Sequence, residues 1–136
     1  VRPDDRVLEV GTGSGYQAAV LALLSREVVT AERHPELAAG AAARLRDLGY
    51  SNATVVGADA SAGLAGAAPF DRILVAAATP ALHPDLLAQC GRECRVVAPV
   101  GPRDGQVLTV VHADGRVERA GAVQFVPLVG PGGSGT

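Results

Sequence analysis

A glycine-rich stretch near the start of the chain, residues 7–22, restricts the possible folds most strongly. An apolar run, Val7–Val10, is interrupted only by Glu9 and leads into three alternating glycines at positions 11, 13 and 15. An Ala- and Leu-rich segment follows, so the order is typical of a buried parallel strand, a tight turn and a helix. Such a turn lets the backbone approach a ligand closely, and the helix directs unpaired N–H groups toward an anionic group.

Strand and helix patterns alternate over the first hundred residues. Strands are predicted at Arg6–Val10, Glu27–Ala31, Ala53–Val56, Asp71–Ala77 and Arg95–Val100, and helices at Gly15–Leu24, Glu36–Leu48 and His83–Cys90. A hairpin of Gln106–Ala113 with Arg116–Ala120, and a last strand over Ala122–Leu128, follow. The pattern predicts a Rossmann-like, doubly wound, mostly parallel sheet with an antiparallel C-terminal hairpin and strand. We expect one domain over residues 1–129 and a disordered Gly-rich tail over residues 130–136.

Carboxylates follow the second and third predicted strands, where ligands of doubly wound sheets bind. Glu32 can accept both hydroxyls of a ribose, and the alternative is a solvated carboxylate at a helix entry. Asp59 is a second candidate, and the alternative is a turn aspartate that bonds its own backbone. Glu9 lies inside the first strand, and a buried carboxylate must be paired, so the ammonium of a cofactor, direct or through water, is the expected partner.

The glycine spacing carries a resemblance to a known enzyme family. A dinucleotide fingerprint would place its third glycine at position 16, whereas this chain has Tyr16 there and reads E-x-G-x-G-x-G. That pattern resembles the first motif of S-adenosylmethionine-dependent methyltransferases, and with Tyr16-Gln17 it closely resembles the protein-L-isoaspartate O-methyltransferases. Other segments that look like family signatures, in family order, are Glu32-Arg33, Leu48-Gly49-Tyr50 with Asn52, Ala68–Ile73, Pro99-Val100-Gly101 and Phe125-Val126-Pro127-Leu128.

The resemblance implies methyl transfer from S-adenosyl-L-methionine to the free carboxylate of L-isoaspartyl residues in damaged proteins or peptides. It implies that Asp59 accepts from the adenine amine and that Thr12 and the backbone around Gly13 hold the cofactor's carboxylate. No catalytic residue is assigned, because the family's Ser/His motif lies upstream of the first strand, before Val1. The predicted cofactor-binding residues are Glu9, Gly11, Thr12, Gly13, Gly15, Glu32, Arg33, Asp59 and Ala60.

Composition restricts the partners and the location. Net charge is −2 and no stretch concentrates Lys or Arg, so no nucleic acid is expected. No apolar run approaches the ~20 residues that span a bilayer and no secretory signal is visible, so we expect a cytoplasmic monomer. The 136 residues include no Met and begin at Val1, so we expect a fragment whose N-terminal region is missing.

Cysteines and histidines predict neither a metal site nor a catalytic group. Cys90 and Cys94 have no second thiol pair and no supporting His, so free thiols at a helix end are expected, with a disulfide as the alternative. His34 could touch an adenine edge, but a surface residue before a proline is the preferred interpretation. His83 and His112 are expected at a helix entry and a strand end.

Two further functions stay open from the sequence. The first is an enzyme that methylates an aspartate in a specific peptide, such as a modified natural product. The second is a non-catalytic S-adenosylmethionine-binding fragment. A nicotinamide enzyme is disfavoured by Tyr16 and by the lack of candidate residues around a hydride.

Overall fold

A seven-stranded mixed sheet forms the centre of the protein in the computed structural model, which describes residues 1–134. Strands β1 to β7 comprise Arg6–Val10, Glu27–Glu32, Ala53–Gly57, Phe70–Val75, Cys90–Val100, Gln106–His112 and Val117–Val123. Helices α1 to α3 comprise Tyr16–Leu24, Pro35–Asp47 and Pro84–Ala88. The strand order is β3-β2-β1-β4-β5-β6-β7, with β1 to β5 parallel and the last two strands antiparallel. The predicted Rossmann-like, mostly parallel sheet is confirmed.

Apolar side chains cover both faces of the central strands, as expected for parallel strands between two layers. On one face, Val7 and Val28 pack against Leu21 of α1 and Leu45 of α2. The other face is a larger cluster that includes Leu86 of α3 and reaches Leu128 near the C-terminus. Because both faces are covered, polar groups of the sheet are accessible mainly at the strand ends, which is where a ligand must bind.

The predicted start of β5 is wrong, and so is the predicted extension of α3 to Cys90. The strand begins at Cys90, which is paired with Phe70, five residues before the expected start. The register then shifts, so that Arg95 is the next residue of β5 to pair, with Arg72. The intervening charged residues belong to an irregular part of the strand, and their polarity hides it from a pattern of apolar residues.

The C-terminal strands also differ from the prediction. We expected the hairpin strand to end at Ala120 and a separate strand to run over Ala122–Leu128, whereas β7 is continuous from Val117 to Val123. Ala120 is the extra residue of a bulge in this strand, beside Gly121, whose φ is +134°. Such a bulge bends a strand without ending it, so an Ala-Gly-Ala sequence looks like a break when only the pattern is read.

The segment that follows β7 leaves the sheet and returns to the end of β4. The amide N–H of Ala78 donates to the carbonyl of Val126 at 2.7 Å, and Leu128 donates back to Ala78 at 2.7 Å. Gly132 then donates to Ser61 Oγ at 3.0 Å. The remaining residues of the predicted tail, Gly135 and Thr136, lie outside the described residues, and the disorder of residues 130–136 and the domain boundary stay predictions.

A buried ion pair lies near the amino-terminal ends of β1 and β4, at the opposite end of the sheet from the carboxyl ends of the parallel strands. Arg72 Nε lies 3.3 Å from Asp5 Oδ2, and both side chains are only 9% exposed. The same Asp5 oxygen accepts the backbone N–H of Arg2 at 2.7 Å. Charges this deeply buried depend on each other, since either one alone would be left without compensation.

Asp5→Asn is therefore expected to lower the free energy of unfolding by about 3 kcal/mol, because the guanidinium of Arg72 stays buried without a counter-charge. Denaturant unfolding at pH 7 measures this change. Asp4→Asn is the matched control, because Asp4 is exposed and its substitution is expected to change stability by less than about 0.5 kcal/mol. Equal effects of the two substitutions would contradict the role given to the ion pair.

Candidate functional site

A cavity of about 340 Å³ opens at the carboxyl ends of β1 to β4. The order of the strands reverses between β1 and β4, which are neighbours in the sheet, and doubly wound sheets bind ligands at such a reversal. Six predicted site residues line this cavity: Gly11, Gly13, Glu32, Arg33, Asp59 and Ala60. Three others, Glu9, Thr12 and Gly15, do not.

The turn between β1 and α1 has the backbone conformation that only glycine adopts without strain. The φ angles are +97° at Gly11, +54° at Gly13 and +88° at Gly15. A Cβ added at Gly13 would meet nothing within 4 Å, so this residue faces open space in the cavity wall. A Cβ at Gly15 would lie 3.4 Å from Ala41 Cβ. Gly15 thus serves the packing of α1 on α2, and only the first two glycines border the cavity.

The end of β2 fastens this turn. The N–H groups of Gly11 and Thr12 both donate to the carbonyl of Ala31, at 2.9 and 3.2 Å. Gly13 N–H donates to Glu32 Oε2 at 2.9 Å, and His34 N–H donates to Glu32 Oε1 at 3.1 Å. Glu32 is 6% exposed, so it is held in the cavity wall rather than solvated. Each carboxylate oxygen still has acceptor capacity for a ligand hydroxyl.

Asp59 follows β3 and combines the two alternatives that the sequence left open. Its Oδ1 accepts the N–H of Ser61 at 2.9 Å, which is a turn aspartate bonding its own backbone. The residue also lines the cavity, and Gly130 lies so close that a Cβ there would overlap the Asp59 carboxylate. The Asp59 carboxylate therefore lies against the backbone at Gly130, while the residue itself stays exposed.

Glu9 is fully buried in the middle of β1. Thr30 Oγ1 donates to its Oε2 at 2.5 Å. Among residues 1–134, Oε1 of Glu9 is the buried side-chain oxygen that has no hydrogen-bond partner. Burial raises the pKa of Glu9 to about 7, against the effect of Thr30 and of the nearby Gln17 side chain, and the charge of Glu32 adds to the rise. A carboxyl group in this state is set to ionise when a cation arrives beside it.

The side chain of Thr12 points away from the cavity. It is buried, and its Oγ1 lies 2.6 Å from Thr30 Oγ1. With Glu9 ionised, Thr30 donates its only hydroxyl hydrogen to that carboxylate, so Thr12 is the donor to Thr30. The hydroxyl proton of Thr12 is therefore engaged inside the protein. A carboxylate at this turn would depend on backbone N–H groups, of which that of Ser14 finds no acceptor within residues 1–134.

Sequence reasoning gave no role to a large part of the cavity wall. The segment Val126–Val129 and Ser61 line the cavity, together with Leu37 of α2. Phe125-Val126-Pro127-Leu128 was visible in the sequence as a distinctive motif, but its distance along the chain from the glycine turn concealed the contact. Long-range pairing of this segment with Ala78 brings it to the cavity.

The three histidines lie at the ends of helices and strands. His34 precedes α2 and also lines the cavity. His83 Nδ1 accepts the N–H of Asp85 at 3.2 Å at the entry of α3, and His112 at the end of β6 lies 2.6 Å from Glu118 Oε1. The predicted helix-entry and strand-end positions of His83 and His112 are confirmed.

Cys90 and Cys94 are free thiols, as predicted, but both belong to β5, so their predicted place at a helix end and the turn after it is wrong. Within residues 1–134, no cluster of three or more His, Cys, Asp or Glu side chains could hold a metal ion. No helix in the same part of the chain is both long and apolar enough to cross a membrane.

Comparison with known proteins matches nearly the whole chain to one family. The model of the protein-L-isoaspartate(D-aspartate) O-methyltransferase family covers residues 1–132. The protein-L-isoaspartate O-methyltransferase of Koribacter versatilis is 51% identical over 96% of this chain and 60% of its own length. That of Protochlamydia amoebophila is 46% identical over 98% of this chain and 66% of its own length. The chain thus spans about two thirds or less of these relatives.

Solved structures show the same fold. A protein-L-isoaspartate O-methyltransferase has a TM-score of 0.84 at 24% identity, over 92% of this chain and 42% of the other. A putative protein-L-isoaspartate O-methyltransferase from Plasmodium falciparum, in complex with S-adenosyl-L-homocysteine, has a TM-score of 0.77 at 23% identity, over 93% of this chain and 66% of the other. The Rossmann-like methyltransferase architecture agrees with the topology described above.

Proposed function

Since the chain belongs to the protein-L-isoaspartate(D-aspartate) O-methyltransferase family, we propose that it transfers a methyl group from S-adenosyl-L-methionine to the free carboxylate of L-isoaspartyl residues. The substrates are damaged proteins or peptides, and the reaction serves their repair. The single observation that carries this proposal is that six of the predicted cofactor-binding residues line one cavity. Its wall brings the glycine turn, Glu32 and Asp59 together at the reversal of strand order.

The residues present fit an adenosyl cofactor with an amino-acid end. Glu32 and Asp59 supply acceptors on one cavity wall, as a ribose and an exocyclic amine require. Glu9 does not itself line the cavity, but its Oε1 is a buried oxygen without a partner among residues 1–134, which an ammonium group would satisfy directly or through a bridging water. Open space at Gly13 admits the ligand close to the backbone. A volume of about 340 Å³ lies within the range of small-molecule sites.

We assign roles to the nine predicted residues on this basis. Glu32 binds the ribose hydroxyls, Asp59 accepts from the adenine amine, and Glu9 balances the ammonium. The remaining contacts come from the backbone at Gly11 and Gly13 and from the wall residues Arg33 and Ala60. Thr12 and Gly15 act indirectly. Thr12 connects the turn to Thr30 of β2, and Gly15 allows α1 to pack closely on α2.

The chemistry requires little from side chains. The bound cofactor supplies an electrophilic methyl group on a sulfonium. A substrate carboxylate is already a nucleophile at neutral pH, so no general base is needed, and we assign no catalytic residue. Charges of both signs disappear during transfer, so a site that aligns the two groups and excludes water favours the reaction. The apolar wall of the cavity, which includes Val126 and Leu128, supports such exclusion.

Calorimetric titration with S-adenosylhomocysteine, followed by a methyl-transfer assay, tests the proposal. We expect micromolar binding of S-adenosylhomocysteine. We also expect methyl transfer to an isoaspartyl peptide but not to the peptide of the same sequence with a normal aspartyl residue. Transfer to the aspartyl peptide would instead favour a peptide-specific aspartate methyltransferase, and binding without turnover would favour a non-catalytic binding fragment. Absence of binding at about 1 mM ligand, the weakest affinity that the titration reaches, would overturn all three functions.

We further propose that the protein is a cytoplasmic monomer without a nucleic-acid partner. The free thiols Cys90 and Cys94 support a reducing compartment, and the net charge of −2 gives no general attraction for phosphates. Light scattering of the purified chain measures the oligomeric state, and a dimer mass would contradict the proposal.

A further inference from the structure

Three consecutive residues of β2 hold the glycine turn in place. Ala31 does so through its carbonyl and Glu32 through its carboxylate. The third residue is Thr30, whose hydroxyl contacts Thr12 at 2.6 Å and Glu9 at 2.5 Å. Ala31 and Glu32 border the cavity, whereas Thr30 lies one residue farther back and does not. The Thr30 side chain thus acts on the site through the two side chains that it holds.

The hydroxyl of Thr30 is buried in an otherwise apolar part of β2, where a polar group lowers stability unless it is hydrogen-bonded. Thr30 is 0% exposed, and its neighbours Val28 and Val29 show that this part of β2 accepts valine. A valine at position 30 would match the volume of threonine and avoid burying a polar group. The hydroxyl is fully used when Glu9 is ionised, since it accepts a hydrogen bond from Thr12 and donates one to Glu9.

This arrangement distinguishes the two oxygens of Glu9. Oε2 is occupied by Thr30, and Oε1 has no partner within the described residues. Without the Thr30 hydroxyl, the carboxyl group would lose its 2.5 Å hydrogen bond and keep only the weaker interaction with Gln17 among residues 1–134, so it could rotate about its last bond. The charge that acts on the Glu9 carboxyl group is then that of Glu32, at the end of β2. Gln17 of α1 also lies near this carboxyl group, but its side chain is polar and uncharged.

We propose that Thr30 is a positioning residue of the cofactor site, acting through Glu9 and Thr12. Its hydroxyl holds Oε2 of Glu9, so that Oε1 is the oxygen left for the ammonium group of the cofactor, directly or through a bridging water, since Glu9 does not itself line the cavity. The same hydroxyl ties Thr12, and with it the glycine turn, to β2. This inference rests on the proposed function, since it specifies how that site is kept in order, and nothing in the cavity wall itself reveals it.

A pair of substitutions at position 30 tests the inference. Thr30→Ser keeps the hydroxyl, and Thr30→Val keeps the volume and removes it. We expect the Ser variant to bind S-adenosylhomocysteine within about twofold of the wild type. We expect the Val variant to bind about tenfold more weakly, the usual effect of losing a hydrogen bond to a charged group. The loss should be greater at pH 6.5 than at pH 9, because ionised Glu9 is less favoured without the hydroxyl.

A second measurement does not require the cofactor. The carboxyl carbon of Glu9, followed by NMR over pH 5–9, should titrate at higher pH in Thr30→Val than in the wild type, and unchanged in Thr30→Ser. If the Thr30→Val protein does not fold, Thr30→Ala replaces it, because alanine also lacks the hydroxyl and adds no methyl group in its place. Thermal unfolding of each variant reports stability separately, so a purely structural role would lower the melting temperature and leave both the titration and its pH dependence unmoved.

The outcomes separate this inference from the function on which it rests. If the wild type does not bind S-adenosylhomocysteine, the proposed function fails, and the titration of Glu9 still decides whether Thr30 controls its carboxyl group. If the wild type binds and the Val variant binds equally well at both pH values, the inference is overturned while the function stands. An unchanged titration midpoint in the Val or Ala variant overturns it as well.

Discussion

Replacing Glu9 by Gln is expected to stabilise the unliganded protein by about 2 kcal/mol at pH 8 and to abolish tight cofactor binding. The wild type has an ionisable group in a fully buried position of β1, where burial raises its pKa from 4.5 to about 7. Above pH 7 the folded protein must therefore hold a charge that it stabilises less well than water does. A shift of this size corresponds to about 3 kcal/mol, part of which is offset by the unpartnered amide of Gln.

The sign of the pH dependence follows from proton binding. The folded state binds the proton of Glu9 more tightly than the unfolded state, so its contribution to stability is complete below pH 4.5 and is lost as the pH rises through 7. Glu9→Gln and the wild type should thus have similar unfolding free energies near pH 4.5 and diverge up to pH 8. Urea unfolding at several pH values measures this divergence.

A matched control separates this effect from the removal of any carboxylate. Glu36→Gln removes a charge from the exposed first turn of α2 and should change stability by less than about 0.5 kcal/mol at either pH. Titration with S-adenosylhomocysteine completes the experiment. A Glu9→Gln protein that is less stable than the wild type at pH 8, or one that binds the ligand normally, would contradict the role of Glu9 as the unsatisfied partner of a cation.

The local part of the site could be predicted from the sequence, because it is encoded by consecutive residues. The strand before Gly11, the helix after Gly15 and the carboxylate at the end of β2 all depend on short-range patterns, and the structure has them where they were expected. Topology then brings Glu32 and Asp59 to one edge of the sheet, since parallel strands end on the same side. The use of these residues by a cofactor stays a prediction.

The rest of the cavity depends on contacts that no local pattern reveals. The return of Val126–Val129 to the end of β4 is determined by two backbone hydrogen bonds to Ala78, nearly fifty residues earlier. Thr12 shows a different limit. The sequence predicts that it contacts the cofactor, but its side chain lies against Thr30, a buried hydroxyl that pattern analysis interprets only as part of a strand. Buried polar networks are specified by the packed structure as a whole.

Glu32→Gln is expected to weaken S-adenosylhomocysteine binding by at least about 100-fold, which corresponds to about 3 kcal/mol. The carboxylate now accepts from Gly13 N–H at 2.9 Å and His34 N–H at 3.1 Å and has capacity for two ribose hydroxyls. An amide presents one acceptor only, and its NH2 group would face a backbone donor. The variant therefore loses charge-assisted bonds to the ligand and loosens the glycine turn.

A deoxyribose analogue of the ligand distinguishes these two losses. If Glu32 grips the ribose, removing one hydroxyl from the ligand should weaken binding strongly in the wild type and little in Glu32→Gln, since the partner of that hydroxyl is already gone. If Glu32 only fastens the turn, the analogue should weaken binding equally in both proteins. Equal losses would leave the carboxylate as a support for Gly13 and would remove the ribose from the assignment of this residue.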